Sequence, residues 1–466
     1  MLFSSLEFLY LFLPITLLLY FAAPPVARNT ILLVVSLVFY GFGEPIYLFL
    51  MIFTIVVDYS FGLAIEKTVR RGGSPKGWLV TAVAANLSLL GFFKYYDFFA
   101  RAVGLPTLGL ALPIGISFYT FQAISYVIDV ARREVKAQKN PVNFGAYVTL
   151  FPQLIAGPIV RYSEIEAQLA QRKHTIARIA DGISVFCVGL AKKVLFANAA
   201  GELCEQLLFR ISEPSLRTSL GAWLWLILFS MQIYFDFSGY SDMAVGLGRI
   251  FGFEFPQNFR YPYISRSITE FWRRWHITLS SWFREYVYIP LGGNRRGRAR
   301  TLRNLLITWA LTGLWHGAAW NFLLWGVYFF ALLSLEKFVW GKQIERTPSV
   351  VRHAYALFFI LLGWLIFASD GTRTIDGLAL CGALVGVGCV SFSDAIILYE
   401  LIRFLPLLFA MALGVTPLPR RLFYRMIEDR PMFAGMARTL LCVISLVLCT
   451  AYLVDSGYNP FLYFRF

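Results

Sequence analysis

The sequence predicts an all-α, polytopic membrane protein with about eleven to thirteen spanning or re-entrant helices. Three observations predict it. Hydrophobic residues make up 58% of the 466 and charged residues only 15%, against roughly 25% in an average soluble domain. The apolar residues lie in continuous runs, such as 31–40 followed by 46–57, and not in the short alternating segments of an outer-membrane barrel. Lys and Arg gather in alternate loops, as they do on the cytoplasmic side of a membrane protein. The same figures exclude a disordered chain and a small disulfide scaffold.

The elements follow in order. Residues 1–5 lack the basic region of a cleavable signal, so the first apolar segment, 6–23, reads as retained. Spans are expected at 29–42, 46–65, 78–93 and 112–130. The loop 66–77 carries Lys67, Arg70, Arg71 and Lys76, and 131–141 carries Arg132, Arg133, Lys136 and Lys139. The turn at 41–45 has only Glu44. This asymmetry places the basic loops in the cytoplasm and the N-terminus outside. Segment 142–160 is apolar but interrupted by Pro152, Gly157 and Pro158, and 161–181 reads as an interfacial helix. Segment 182–200 holds Lys192 and Lys193. Segment 220–240 reads as a span ending in the polar string 236–242, with Asp236 and Asp242 capping or hydrogen bonding at a broken helix end and a functional reading of both still open. Further spans are expected near 302–314, 320–338, 351–367, 378–390, 396–413 and 437–454.

Irregular apolar segments survive in a bilayer only where protein buries them or they line a cavity. The region 142–340 therefore reads as a broken-helix catalytic core, between N-terminal helices (1–141) and C-terminal helices (341–466) of one membrane-embedded domain. The net charge of +15 then needs no nucleic-acid partner, because much of the excess sits in three loop clusters that orient the chain. The partner it implies is membrane lipid. The six cysteines (187, 204, 381, 389, 442 and 449) lack metal spacing and read as small buried hydrophobes.

Three segments carry side chains capable of chemistry. In 267–288, SITEFWRRWHITLSSWFREYVY, the apolar residues recur at steps of three and four, one stripe of an amphipathic helix. Arg273 and Arg274 face the other side, suited to snorkelling or to pairing an anion. His276 sits at the border, with a functional and a structural reading both open. Next, Pro290–Asn294 leads into Arg295, Arg296, Arg298, Arg300 and Arg303. This cluster reads first as a cytoplasmic anchor, and alternatively as a docking surface for a polyanionic cofactor such as coenzyme A. Third, LTGLWHGAAWNF (311–322) puts His316 inside an apolar segment, where an ionisable residue is costly and so a functional candidate. Its small neighbours suit close helix packing or a channel beside the imidazole. A buried neutral imidazole can take a proton from a hydroxyl, which accelerates transfer by about 10²–10⁴-fold. His174 and His353 lie among polar residues and read as solvated or interfacial. No Walker loop, HExxH, dinucleotide fingerprint or GxSxG elbow occurs, and no metal site is expected.

The strings FWRRWHITLSSWFREYVYIPLGGNRRG (271–297) and LTGLWHGAAWNFLLWG (311–326), forty residues from His276 to His316, resemble the membrane-bound O-acyltransferase family. They are closest in pattern to its bacterial branch acting on alginate and peptidoglycan. LPIGISFYTFQAISY (112–126), FPQLIAGPIVRY (151–162), QIYFDFSGYSDMAVGLGRIFGF (232–253) and the C-terminal YNPFLYFRF extend the match along the whole chain. The resemblance implies that His316 is the catalytic histidine of the membrane interior and His276 the second motif residue. Asp236, Arg273 and Arg274 match positions of less settled role.

The expected function is transfer of an acetyl group from a cytoplasmic thioester, acetyl-CoA, across the bacterial inner membrane for O-acetylation of an exported or cell-wall polysaccharide. Acetyl-CoA would be a substrate, with no permanently bound cofactor. His316 would act as general base, with nearby donors, His276 among them, on the oxyanion. Arg273, Arg274, Arg295 and Arg296 are the candidate CoA contacts. No soluble domain is large enough to bind a polymer, so the resemblance implies an extracytoplasmic SGNH-like acetyltransferase partner. Two alternatives stay open: a transporter or flippase for lipid-linked sugars, and a relative that takes its acyl group from a carrier protein.

Overall fold

The computed structural model describes residues 1–369, 377–427 and 431–462. Among these, every regular element is helical, and an isolated bridge joins Thr218 to Ser391. Eight of the described helices are long and apolar enough to cross a membrane. The chain is a multi-pass membrane protein. Its contacts divide it into two compact units, residues 1–190 with 240–257, and 191–239 with 258–466.

The first unit opens with a π turn, Phe8–Phe12, that runs into α1 (Leu13–Ala22). The next three helices, α2 (Arg28–Gly43), α3 (Tyr47–Arg70) and α4 (Lys76–Ala102), are long spans. Asp58 on α3 accepts from the Asn86 amide of α4 at 2.7 Å, so each of these buried polar side chains has a partner on the neighbouring helix. α5 (Ile116–Arg132) is buried along nearly all its length, so it packs in protein and not in lipid. Gly62 of α3 makes this possible, since a Cβ there would lie 2.7 Å from the Tyr126 ring of α5.

The interruption expected at 142–160 is present. α6 (Pro141–Thr149), capped by the Asn140 carboxamide, gives way to the four-residue α7 (Phe151–Leu154). The freed Phe151 N–H donates to Ser36 of α2, and Gln153 donates to the Tyr147 carbonyl. Residues 144–160 are all buried, the condition that lets broken backbone exist at membrane depth. The segment expected as one interfacial helix is α8 (Tyr162–Ala170), a non-helical stretch, and the start of α9 (Ile176–Ala191).

His174, expected to be solvated or interfacial, is half-buried in a network of hydrogen bonds within this unit. Arg28 donates to its Nδ1 at 3.2 Å, and its Nε2 lies 3.0 Å from the Tyr20 hydroxyl, which itself donates to the Phe251 carbonyl. Guanidinium has no acceptor, so Nδ1 is unprotonated and the ring is neutral. Burial first, and then the charge of Arg28, hold its pKa below the usual histidine value.

In the second unit a π segment, Lys192–Asn198, continues into α10 (Ala199–Ser212). α11 (Ser219–Ile250) follows, its residues up to 239 counted in this unit and the rest in the first, and it is 78% buried through its apolar window. The sequence reading ended this helix at 240. The structure corrects that: the polar string 236–242 lies inside one continuous helix, and Asp236 is met by Lys193 and not by a helix end. The stripe at 267–288 is likewise not one helix. It divides into α12 (Ile268–Trp272) and α13 (Ile277–Phe283), with a π turn to Tyr288. α14 (Arg298–His316) and α15 (Trp320–Leu335) form a tight hairpin, extended by a further π turn, Glu336–Trp340, and by α16 (Gly341–Glu345). α17 (Ser349–Ala368) packs on α15. His353 sits on α17 and not in a loop, half-buried, with Nδ1 3.1 Å from the Ser265 carbonyl.

The segment expected to span at 378–390 is helical only over α18 (Gly377–Leu384) among the described residues. α19 (Ala395–Gly414), α20 (Leu418–Ile427) and α21 (Pro431–Asp455) complete the unit. α19 and α21 expose rows of Leu, Ile and Phe, as lipid-facing spans do. Of the cysteines, Cys187, Cys204 and Cys449 are buried as expected, and Cys381 is exposed.

Candidate active site

The hairpin α14–α15 positions His316. Gly313 and Gly326 face each other across it: a Cβ on Gly313 would fall 2.2 Å from the Phe322 carbonyl oxygen, and one on Gly326 would fall 2.3 Å from that of Trp309. The small residues around His316 therefore serve close backbone packing. α14 stops at His316 because Gly317 takes an extended backbone, and a Cβ there would strike the Phe322 ring at 2.1 Å. The imidazole is 5% exposed. It is edge-on to Trp315 at 5.0 Å, Trp325 at 5.1 Å and Phe367 of α17 at 5.3 Å between ring centroids. This apolar collar shields the ring from water.

His276 reaches the same neighbourhood from a different element. It occupies the break between α12 and α13 in a left-handed conformation, φ 44° and ψ 54°, uncommon for a non-glycine residue. The sequence reading put it at a helix border; it is 1% exposed. The break is held by a distant segment: Ile277 N–H donates to the Asn258 carbonyl and Arg260 N–H to the Arg274 carbonyl, both at 2.9 Å. His276 Nδ1 lies 3.0 Å from Asn258 Oδ1. Phe237 of α11 stands perpendicular to its ring at 4.7 Å, and Trp315 lies 6.0 Å away. Trp315 thus borders both imidazoles.

Two carboxylates brace this assembly. Glu336 accepts the N–H groups of Ile268 and Thr269 at 2.7 and 2.8 Å, with the Thr269 and Tyr355 hydroxyls, and so fixes the start of α12. Asp236, one residue before Phe237, forms a buried ion pair with Lys193 at 2.6 Å and accepts the Leu462 N–H at 2.8 Å. Lys193 also donates to the Pro460 carbonyl, so the pair ties the C-terminal segment to α11. Asn258, Glu336 and the Lys193–Asp236 partnership were not singled out from sequence. Lys193 inside an apolar run was the one available signal, since a buried lysine needs a partner.

The arginines stand apart from the collar. Arg273 is exposed, and Arg274 is held by Glu270 at 2.8 Å and by the Arg260 carbonyl. Arg295 and Arg296 are exposed on the turn that Gly292 and Gly293, both with positive φ, form before α14. Among the described residues no three His, Cys, Asp or Glu side chains are gathered as a metal would need.

The profile of the membrane-bound O-acyltransferase family matches residues 130–369, more than half the chain and inclusive of both buried histidines.

The chain belongs to the membrane-bound O-acyltransferase family.

This acyltransferase is 43% identical to the probable alginate O-acetylase AlgI of Azotobacter vinelandii, over 79% of this chain and 75% of that protein. It is 36% identical to the protein of the same name in Pseudomonas putida, over the full length of both. It is 35% identical to the peptidoglycan O-acetyltransferase of Helicobacter pylori, over 84% of this chain and 81% of that one. The expected fold and enzyme class therefore hold: the chain is a membrane-embedded O-acyltransferase that takes its acyl group from a donor substrate.

Proposed function

We propose that this acyltransferase moves an acetyl group from cytoplasmic acetyl-CoA, across the bacterial inner membrane, for O-acetylation of an exported or cell-wall polysaccharide. The observation that carries the reading is the pair of buried imidazoles, His316 and His276, brought by separate elements into ring contact with Trp315. The relatives named for alginate and peptidoglycan O-acetylation support the polysaccharide acceptor.

In this reading the N-terminus is extracytoplasmic, and the exposed turn with Arg295 and Arg296 lies on the cytoplasmic face, where guanidinium groups pair with donor phosphates. Arg273 is a further contact for those phosphates, with Arg274 reserved by Glu270. The thioester reaches the aromatic collar. His316 takes the proton of an acceptor hydroxyl as its oxygen attacks the thioester carbonyl. The tetrahedral intermediate then collapses, the carbon–sulfur bond breaks, and the proton passes from His316 to the leaving thiolate. The acetyl group crosses, and CoA stays in the cytoplasm. An extracytoplasmic SGNH-like acetyltransferase receives the group and passes it to the glycan.

The test uses purified protein in sealed vesicles with labelled acetyl-CoA on the cytoplasmic face. The reading expects label in the lumen on an added partner acetyltransferase or glycan, with free CoA left outside. Label transferred only from a carrier-protein thioester, or no transfer from either donor, contradicts it.

A further inference from the structure

The contacts around His276 decide which of its nitrogens carries the proton. Asn258 Oδ1 lies 3.0 Å from His276 Nδ1, 2.9 Å from the Thr278 hydroxyl and 3.4 Å from the Thr278 N–H. A backbone N–H only donates, so the amide atom facing it is the oxygen. An oxygen acceptor at Nδ1 requires Nδ1–H, and in the neutral ring that leaves the lone pair on Nε2. The amide cannot turn over without setting its NH₂ against the Thr278 N–H. Its backbone is fixed as well, because its own carbonyl holds the Ile277 N–H at 2.9 Å. The surroundings favour the neutral ring, since His276 is 1% exposed and lies against Phe237 and Trp315.

We propose that Asn258 is a positioning residue of the transfer reaction, which holds His276 in the Nδ1–H tautomer and so makes Nε2 a proton acceptor beside His316. The proposal rests on the reading of His276 and His316 as the transfer site. It changes the role of His276: the neutral ring has no N–H at Nε2 for an oxyanion, and it serves the proton instead. Two cations side by side in an apolar collar are costly, so the imidazole pair carries one proton between them. That proton comes from the attacking hydroxyl and leaves on the thiolate. As the proton arrives, the Nδ1–H bond to Asn258 becomes charge-assisted and stronger, so Asn258 favours the protonated state of the cycle. A carboxamide does this without adding a charge that would hold His276 permanently protonated. Asp236, one residue before Phe237 on α11, is paired with Lys193.

The experiment compares Asn258→Leu and Asn258→Asp with the wild-type chain in detergent, each checked for an unchanged thermal midpoint. The chain has four histidines, so ¹⁵N-histidine labelling with His276→Ala assigns the relevant resonances. Wild type is expected to show His276 protonated at Nδ1, and Asn258→Leu a mixture or the Nε2–H form. Asn258→Leu should lower kcat by about 10²–10⁴-fold with KM little changed, the effect of losing a tautomer-setting acceptor. Asn258→Asp keeps the acceptor. Its activity should recover to within about tenfold of wild type. The acidic limb of its pH–kcat profile should move to higher pH, because the carboxylate stabilises the imidazolium. An Nε2–H resonance in wild type, or an Asn258→Asp variant as inactive as Asn258→Leu, overturns the proposal. Unchanged transfer in His276→Ala instead overturns the assignment of His276 to the site, leaving the tautomer result to stand alone.

Discussion

Lys193 and Asp236 meet at 2.6 Å with both side chains almost wholly buried. Two charges removed from water are tolerated only as a pair, so losing one leaves the other uncompensated. Asp236→Ala should cost about 3–5 kcal/mol of stability. Replacing both together, Lys193→Met with Asp236→Leu, should restore most of it. Thermal unfolding in detergent measures this; equal midpoints for the single and double variants contradict it. The double variant should still transfer poorly, because the pair also holds Pro460 and Leu462.

The hairpin that presents His316 depends on direct backbone contact. Gly326→Leu places a side chain where a Cβ already lies 2.3 Å from the Trp309 carbonyl. Overpacking of this kind costs about 1–3 kcal/mol and shifts backbone. Acyl transfer should fall at least about tenfold, since a displacement near 1 Å at a reacting group costs more than that. Gly91→Leu on α4 is the control, because a Cβ there meets nothing within 4 Å. Equal activity in the two variants contradicts the packing account.

His174 gives the fold a pH dependence with a definite sign. Its folded pKa is depressed, by burial and then by Arg28, below the value of 6.5 expected when unfolded. The unfolded chain therefore binds a proton more readily. Stability is full above that unfolded value and is lost as pH falls through the folded pKa. The thermal midpoint should drop as pH is lowered from about 7.5 to about 5. His174→Gln should flatten that drop. A midpoint as steep in the variant as in wild type assigns the loss to other groups.

Arg295 and Arg296 are exposed, so their attraction for a donor phosphate is modest. Replacing both with Gln should raise KM for acetyl-CoA by about 3–10-fold and leave kcat unchanged, as loss of uniform binding does. An unchanged KM makes the cluster a topological anchor alone.

Periodicity and charge alternation exposed the membrane class, most of the spans and the interruption at 142–160, because each is a local property of the sequence. His316 was legible for the same reason, as an ionisable group in an apolar run. The fate of His276 was not. Its flanks, Phe271–Trp275 and Ile277–Phe283, keep helical spacing, and the bonds that break the helix come from Asn258 and Arg260. The polar string 236–242 misled in the opposite direction: it reads as a helix end, yet Lys193 and the C-terminal segment satisfy Asp236 and let α11 continue. Both errors have one cause, a partner remote in sequence that supplies or removes a reason to stay helical.

The most direct measurement is the rate of acetyl transfer from labelled acetyl-CoA by His316→Ala and the wild-type chain, at equal membrane expression and equal thermal midpoint. The account predicts a loss of at least about 10²-fold in kcat, the contribution of a general base. Wild-type transfer by His316→Ala contradicts it.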